Sequence, residues 1–564
     1  MNKKWQVQET NEEEVNKISS KYNINKLLAT ILYNRNIVED EELKVFLNPT
    51  RHDFHNPYLM PDMEKAVNRI EKAINQNEKV IIYGDYDVDG ITSITVLKKY
   101  LLERGLNADE YIPNRLSEGY GLNKNAVEKI ASQKYDLMIT VDCGISAIEE
   151  IEYANSLGLQ TIITDHHEPR ELLPKAIAVV DAKRKDNKYP FNQLAGVGVV
   201  FKLIQAINQR FELEEKEFLK YLDIVAVGTI SDIVPLVDEN RVITKLGLKL
   251  IEVTKNIGLK SLLDTAGYRK VDSTAISFGL APRINACGRL GFAQLALQLF
   301  LTEDPKQASE ISEQLNTYNK ERQEKEKAIF EQAVEKIENE KLQGIENNVI
   351  VLGDERWHHG VIGIVASKIT DMYFKPSILI CFEENVGKGS GRSIPGFDLY
   401  TALTNCSTYL DRFGGHSMAI GVSVSKNNFE DFKKEFEEYA QKSNISDIIP
   451  IINIDEEISL KEINISAVSE LRLLEPFGEA NKMPLFLFKN LKINSIRTLS
   501  EGKHIKLYLK EDNFAIDAIG FNLGNLADEY LIGDKIDVVG SIEINQFNGM
   551  ESLQINIKDI MKSI

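Results

Sequence analysis

Three aspartates at alternate positions, Asp85, Asp87 and Asp89, stand in the stretch KVIIYGDYDVDGITS at residues 79–93. Carboxylates crowded this closely repel one another unless a cation lies among them. Further donors follow downstream: Asp142 in TVDCG, Asp165, His166 and His167 in TDHHEP, and Asp181 directly after AIAVV. Carboxylate oxygens together with imidazole suit Mn²⁺, Mg²⁺ or Zn²⁺. The sequence has no CxxC pair, which argues against a thiolate zinc site. One or two aspartates in a turn are ordinarily just a solvated surface. Three at the tip of one apolar run, with Asp and His at the tips of others, argue for a metal centre.

The elements that must carry these residues can be read around them. Val80–Tyr83 is a short β-branched run that stops at Gly84, and Gly90 releases the chain into a segment with apolar residues at helical spacing. Leu137–Val141, Gln160–Thr164 and Ala176–Val180 repeat the strand signal. Helical patterns at Lys124–Gln133 and Ser146–Leu157 lie between them. Strands alternating with helices predict an α/β domain with a parallel, doubly wound sheet, where ligands gather at the carboxyl ends of the strands.

A chain of 564 residues calls for several domains. Residues 1–50 read as a small helical lobe and 51–302 as the acidic α/β domain. Residues 303–343 read as a long, charged, exposed connecting helix acting as a solvated spacer. Residues 344–446 form a second, smaller α/β domain containing GDERWHHG, GKGSGRS (387–393) and FGGHSMAIG (413–421). Glycine-rich backbone beside Arg, Ser and His suits phosphate contact, because bare N–H groups can reach the oxygens. Residues 447–564 carry about five strand-like runs and an Asn548-Gly549 hairpin signal, which predicts an OB-like barrel. Such barrels bind single strands by stacking and a basic groove, and Lys503, His504, Lys506, Tyr508, Lys510, Phe514 and Phe547 are the candidates. The GxG of LAGVGVVFKLI (194–204) is too weak to read as a nucleotide motif.

The formal net charge of −18 disfavours a broad basic face, so nucleic acid would need a local channel. Four scattered cysteines fit reduced thiols, the N-terminus lacks the apolar core of a signal peptide, and no apolar run approaches membrane-spanning length. A cytoplasmic chain with no membrane partner is expected.

GDYDVDGITS, TVDCG, TDHHEP and VGTISD, in that order, resemble the motifs of the DHH phosphoesterase superfamily. WHHGVIGIVASKI, GSGRSI and FGGHSMAIG resemble its companion DHHA1 domain. With APRINACGRL between them and an OB-like tail, residues 50 to 560 or so resemble the branch that degrades single-stranded DNA 5′→3′. One departure is EPFGEANKMPLF (475–486), which lacks the second glycine and the proline expected after PFG.

The resemblance implies two divalent cations, Mn²⁺ or Mg²⁺. Asp85, Asp87 and Asp89 would supply the first cluster, with Asp87 and Asp89 the more direct ligands. Asp142 would bridge, His166 would bind the second ion, and His167 would bind metal or the scissile phosphate. Asp232 would complete the set, with Asp223 the alternative. Two close cations need no separate protein nucleophile. Substrate would be held by Arg115, Arg283, Asn285, Arg289, His359, Ser390, Arg392 and His416, since the planar guanidinium pairs bidentately with phosphate. The implied activity is release of mononucleotides from single-stranded DNA in repair and recombination. A single-strand-binding protein and a recombination helicase would be its protein partners. Two rival readings are an oligoribonuclease or 3′-phosphoadenosine 5′-phosphate phosphatase, which lack the barrel and the connector, and a non-catalytic replication scaffold. The scaffold is disfavoured because every acidic and histidine position is filled.

Overall fold

A computed structural model describes residues 3–563 apart from 116, 120, 269, 345–346, 444, 446–447 and 548. The first sheet has five parallel strands in the spatial order Asp109–Tyr111, Val80–Gly84, Leu137–Val141, Gln160–Thr164, Ala178–Val180. The chain leaves the first strand, Val80–Gly84, to build its neighbour on one side and then crosses to the other. The switch point therefore lies beside the tips of Val80–Gly84 and Leu137–Val141, where ligands bind in sheets of this kind. All five residues of each of these two strands are buried, which is why they read as unbroken apolar runs rather than alternating ones. Helices cover both faces, with Val88–Leu102 and Gly196–Arg210 packed on one and Lys124–Ser132 and Ile148–Ser156 on the other.

The second sheet is mixed. Ile350–Asp354 runs parallel to Ser377–Glu383, and Val386–Arg392, Ala419–Ser425 and Arg412–Gly415 follow antiparallel. This corrects the reading of GKGSGRS as flexible, phosphate-facing backbone, because the segment is an internal strand with ladder partners on both sides. A Cβ at Gly387, Gly389 or Gly391 would strike Ile380, Phe382, Ile420 or Val422 within about 2.8 Å. These glycines make room for the core on one face, and Lys388, Ser390 and Arg392 occupy the alternate face.

Between the two domains runs the helix Pro305–Asn339. Its charge suggested a spacer, but it carries a buried stripe along its whole length. Ile311 and Leu315 join the core of the first domain, and Ile329, Ala333 and Ile337 join that of the second. Between these lie buried Asn319, Arg322 and Glu326, with Arg322 Nη2 donating to Asn319 Oδ1 at 2.6 Å and Lys368 of the second domain ion-paired to Glu326. The helix is therefore a rigid strut fixed to both domains.

The C-terminal region closes into a barrel through Phe486–Leu499, His504–Glu511, Phe514–Gly520, Met550–Lys562 and Lys535–Phe547, the last pairing back onto the first. Lys535–Phe547 and Met550–Lys562 form an antiparallel hairpin in which Phe547 opposes Met550. Asn548 and the Phe547 side chain lie outside the described residues. Residues 1–50 do not form a separate lobe. The strand Lys4–Val7 pairs with Ile451–Ile454, and Leu28, Ile31, Leu32 and Phe46 share one core with Leu474, Phe486 and Phe488 of the barrel region.

At the junction between the α/β domain and the barrel, Ala480 holds φ of +57°. Glycine adopts that conformation freely, so the glycine missing from EPFGEAN is felt here. Left-handed backbone costs a residue with a Cβ roughly 1–2 kcal/mol, against about 0.4–1 kcal/mol of extra unfolded-chain entropy for glycine. Ala480→Gly should therefore raise stability by up to about 1.6 kcal/mol, read as a higher denaturant midpoint at unchanged slope. A lower midpoint would show that the alanine methyl contributes more than its strain.

Candidate active site

The turn after Val80–Gly84 is shaped by Gly90, whose Cβ would lie 2.4 Å from the Asp85 carbonyl oxygen. No side chain fits there, so the strand can turn directly into the helix Val88–Leu102. Asp87 caps that helix by accepting from Gly90 N at 3.0 Å. Asp89, wholly buried, accepts from Gly196 N at 2.6 Å and Val197 N at 2.8 Å, both at the start of the helix Gly196–Arg210. A Cβ on Gly196 would meet the Asp142 side chain at 2.7 Å, and one on Gly228 would meet Thr92 Oγ1 at 2.2 Å. Thus the GxG that carried no reading in the sequence is a clasp that lets Asp89 and Asp142 converge.

Asp142 itself sits at φ +57°, just past its strand, a conformation that Asp and Asn tolerate better than other residues. His166 Nε2 lies 3.1 Å from Asp142, 3.6 Å from Asp232 and 3.8 Å from Asp89. Asp85, Asp87 and Asp142 form one group of converging donor atoms, and Asp142, His166 and His167 form another. Asp89, His166 and Asp232 form a third. Asp232 ends the helix Leu222–Ser231, whereas Asp223 sits in its first turn, about 13 Å away at the helical rise. Asp223 accepts from Thr254 Oγ1 at 2.5 Å and Ile224 N at 2.8 Å, so it has a structural place outside the cluster.

Asp165 was seen in the sequence but given no role. It is buried and accepts from Ile145 N at 2.8 Å, His166 N at 2.8 Å and His167 N at 3.2 Å. His167 Nδ1 lies 2.7 Å from its Oδ1. This is the carboxylate–imidazole arrangement that fixes a ring for coordination through its other nitrogen.

Second-domain residues meet Arg289, which lines a groove shared with Ile364 of that domain. Gly360 accepts from Arg289 Nη1 at 2.9 Å, and a Cβ on Gly360 would stand 2.8 Å from the Arg289 carbonyl oxygen. A Cβ on Gly363 would meet Ser390 Oγ at 3.0 Å, so the two glycines of HHGVIG admit Arg289 on one side and Ser390 with Arg392 on the other. Arg392 Nη1 donates to Ser390 Oγ at 3.1 Å, and the Arg115 guanidinium stands 5.0 Å over the Tyr86 ring. Burial, reinforced by the charges of Arg115, Arg322 and Arg392, lowers Arg289 to about 10. Burial also lowers His359, which feels both Lys388 and Arg115. Asn285, Arg289 and Arg322 line a groove of about 700 Å³ together with Ile233, Phe278 and Lys482. Two predicted residues stand apart from this arrangement. Arg283 spends its guanidinium on Gly279 O at 2.7 Å and Asn316 Oδ1 at 3.1 Å, and His416 is exposed on the turn of the edge hairpin. Arg322 was missed, since its neighbours read as a solvated face. Its signal is that it lies on the buried stripe seven residues beyond Leu315 and seven before Ile329.

The acidic centre is electrostatically unbalanced. Burial and the neighbouring Asp87 push Asp85 up to about 8 and Asp89 to about 7. Burial with Asp89 and Asp87 pushes Asp232 to about 9, and burial with the same two neighbours drives Asp142 well above the carboxylate range. Burial and His167 lower His166 to about 3, so its ring is neutral and ready to donate a lone pair. Burial opposes charge on His167, but the Asp165 hydrogen bond and charge prevail and raise it to about 9. Asp85 Oδ1 and His166 Nε2 are buried and make no hydrogen bond among the described residues. Hard oxygens, neutral imidazole and orphaned donor atoms together fit divalent cations.

A stability signature follows. The folded, metal-free chain holds protons on Asp85, Asp89 and Asp232 up to pH of about 7 to 9, whereas unfolded aspartates release them near pH ~4. The folded state then binds more protons across that window, so stability falls as pH rises through it. Chelator-treated protein should lose melting temperature between pH 5.5 and 8.5, and saturating Mn²⁺ should remove the loss. A melting temperature equally flat with and without metal would contradict the cluster's role.

Comparison with known proteins agrees with this geometry. The family models "DHH family, N-terminal domain", "DHHA1 domain" and "RecJ OB domain" match residues 79–229, 346–442 and 454–559. The chain is 38% identical over 562 residues to the single-stranded-DNA-specific exonuclease RecJ of Bacillus subtilis, covering 99% of this chain and 70% of that one. It is 33% identical over 502 residues to the RecJ of Thermus thermophilus, covering 89% and 71% of the two chains. The crystal structure of Thermus thermophilus RecJ in complex with Mn²⁺ superposes with a TM-score of 0.87 at 29% identity, covering 100% of this chain and 80% of that one. With a metal-suited carboxylate cluster at the switch point and all three domain models matched in order, the chain belongs to the RecJ family of single-stranded-DNA-specific exonucleases.

Proposed function

We propose that the chain hydrolyses single-stranded DNA from its 5′ end, releasing mononucleotides, with Asp85, Asp87, Asp89, Asp142, His166, His167 and Asp232 holding two divalent cations, Mn²⁺ or Mg²⁺. The observation that carries this reading is the pairing of opposite electrostatic demands across one groove. A buried acidic centre calls for cations, and the guanidinium groups of Arg115, Arg289 and Arg392 call for anions, with Arg322 beside them already ion-paired to Glu326. Divalent cations bound in the centre supply Lewis acidity at phosphorus and lower the pKa of water. Asp165 orients His167, and the clasp at Gly196 and Val197 keeps Asp89 ionisable and fixed. Because His167 and the raised carboxylates give up protons when metal enters, loading releases protons to the solvent.

The arginines and Ser390 are suited to hold the terminal phosphate, and the exposed side chains of Phe278 and Ile233 offer apolar surface to bases. Two domains joined by a rigid strut leave room for one strand and exclude a duplex. On the barrel, Lys506, Tyr508 and Lys510 point outward from His504–Glu511, with Phe514 exposed on the next strand; this face is where the trailing strand would continue. Lys506 is paired with Asp517, and His504 Nδ1 accepts from Asn522 N at 3.0 Å, which weakens their claim to phosphate. No helix among the described residues is long and apolar enough to cross a membrane, and a cytoplasmic role in DNA repair and recombination fits the activity. A single-strand-binding protein and a recombination helicase are the protein partners such a role calls for. The smaller-substrate reading gains nothing from a closed barrel sharing its core with residues 1–50.

Asp142→Asn keeps the left-handed backbone and removes the cost of burying an ionisable carboxyl in an overcrowded site. It should fold, gain stability without metal, and lose ~10³-fold or more in rate, or about 4 kcal/mol of barrier. Near-normal nuclease activity in the folded variant would sink the assignment. Arg289→Ala should weaken the preference for 5′-phosphorylated over 5′-hydroxyl strands by about 1.5–3 kcal/mol, the worth of a charge-assisted contact, with little change in Mn²⁺ affinity. Early release of a 3′-labelled mononucleotide, or equal cleavage of blunt duplex, would show that the polarity and strand assignment are wrong.

A further inference from the structure

Arg241 is fully buried on the helix Asp238–Ile251, and no carboxylate among the described residues pairs with it. Its Nε donates to Phe46 O at 2.8 Å, Nη1 to Leu474 O at 2.9 Å, and Nη2 to Leu473 O at 2.8 Å and Glu475 O at 3.1 Å. The guanidinium also stacks 3.5 Å from the Phe46 ring. One side chain thereby ties the catalytic domain, the N-terminal segment and the junction before the barrel. A second arginine works from the other end. Arg35 donates Nη1 to Asn481 Oδ1 and Nη2 to Lys482 O at 2.6 Å, with Asp455 Oδ1 3.6 Å away. Buried Asn481 passes the constraint on, donating to Leu474 O and Pro476 O, both at 2.8 Å.

The segment so held is one wall of the groove. Phe477, Gly478, Glu479, Lys482 and Met483 face Ser231, Ile233 and Arg289 across it. The same segment is bonded to the loop just beyond Asp232: Leu236 N donates to Glu479 O at 2.8 Å, and a Cβ on Gly478 would strike Leu236 at 2.6 Å. Neither arginine lines the groove or lies among the metal donors.

We propose that Arg35 and Arg241 are positioning residues that clamp Leu473–Met483 as a wall of the single-strand groove, so that the N-terminal segment sets affinity for long strands without touching them. Guanidinium suits the place because its planar fork spreads donors over four carbonyls, whereas an ammonium directs its three from one point, as Lys245 does to Leu473 O and Leu47 O. The inference rests on the groove being the strand path.

The test compares a long single strand with a 5′-phosphorylated dinucleotide, which meets the groove only at Arg289 and is too short to run along the wall. Full-length Arg35→Met and Arg241→Met should raise KM for the long strand about tenfold and leave its kcat, dinucleotide turnover and Mn²⁺ affinity unchanged. Arg241→Lys should fall between, as partial rescue. The salt dependence of long-strand binding should keep its slope, since no phosphate contact is lost. Equal losses on both substrates, or an unchanged KM in folded variants, would overturn the proposal. If Arg241→Met does not fold, Arg35→Met and Arg241→Lys decide. Lys482→Ala separates the two layers of the argument. If it raises long-strand KM while the clamp variants do not, the groove stands and the clamp falls; if it changes nothing, the groove reading falls and the clamp with it.

Discussion

Mutual repulsion among carboxylates buried at the tips of adjacent parallel strands is the constraint on which this structure depends. Five aspartates and two histidines converge where the sheet changes direction, with Asp85, Asp89, Asp142 and His166 buried among them. Such a group is unstable as ions and poorly useful as neutral acids. The fold nevertheless forces it together, with glycines at 90, 196 and 228 removing side chains that would hold it apart. The left-handed backbone at Asp142 is part of the same arrangement, strain held at the site by the surrounding sheet.

The opposite imbalance stands across the groove. Arg289 is buried near Arg115, Arg322 and Arg392, and its charge is disfavoured there for want of an anion. A phosphodiester backbone would satisfy both sides at once, the acids holding the divalent cations it needs and the guanidinium groups pairing with its oxygens. That local pairing explains how a chain of net charge −18 can bind a polyanion without a broad basic face. The strut Pro305–Asn339 keeps the two sides at fixed separation, because its ends are buried in both cores.

Much of this was legible in the sequence, and the exceptions have physical causes. The parallel strands were visible because complete burial makes them continuous apolar runs, and most of the converging carboxylates and histidines because they sit directly after those runs. The GxG at 196–198 was opaque because its purpose is clearance for Asp142, a residue distant in sequence. The strand Val386–Arg392 looked like loop because its glycines accommodate neighbouring strands' side chains, and composition alone does not distinguish that from a turn. Charge on the connector masked a narrow buried stripe. The N-terminal fifty residues gave helices but no hint that their core is completed by the barrel, since pairing across more than four hundred residues leaves no local pattern.

The central claim is that this carboxylate–imidazole cluster holds two cations together. The most direct measurement is anomalous diffraction at the manganese edge from crystals soaked in Mn²⁺. The account predicts two peaks ~3.5–4 Å apart, enclosed by Asp85, Asp87, Asp89, Asp142, His166, His167 and Asp232. A single peak, or peaks away from Asp142, would contradict it.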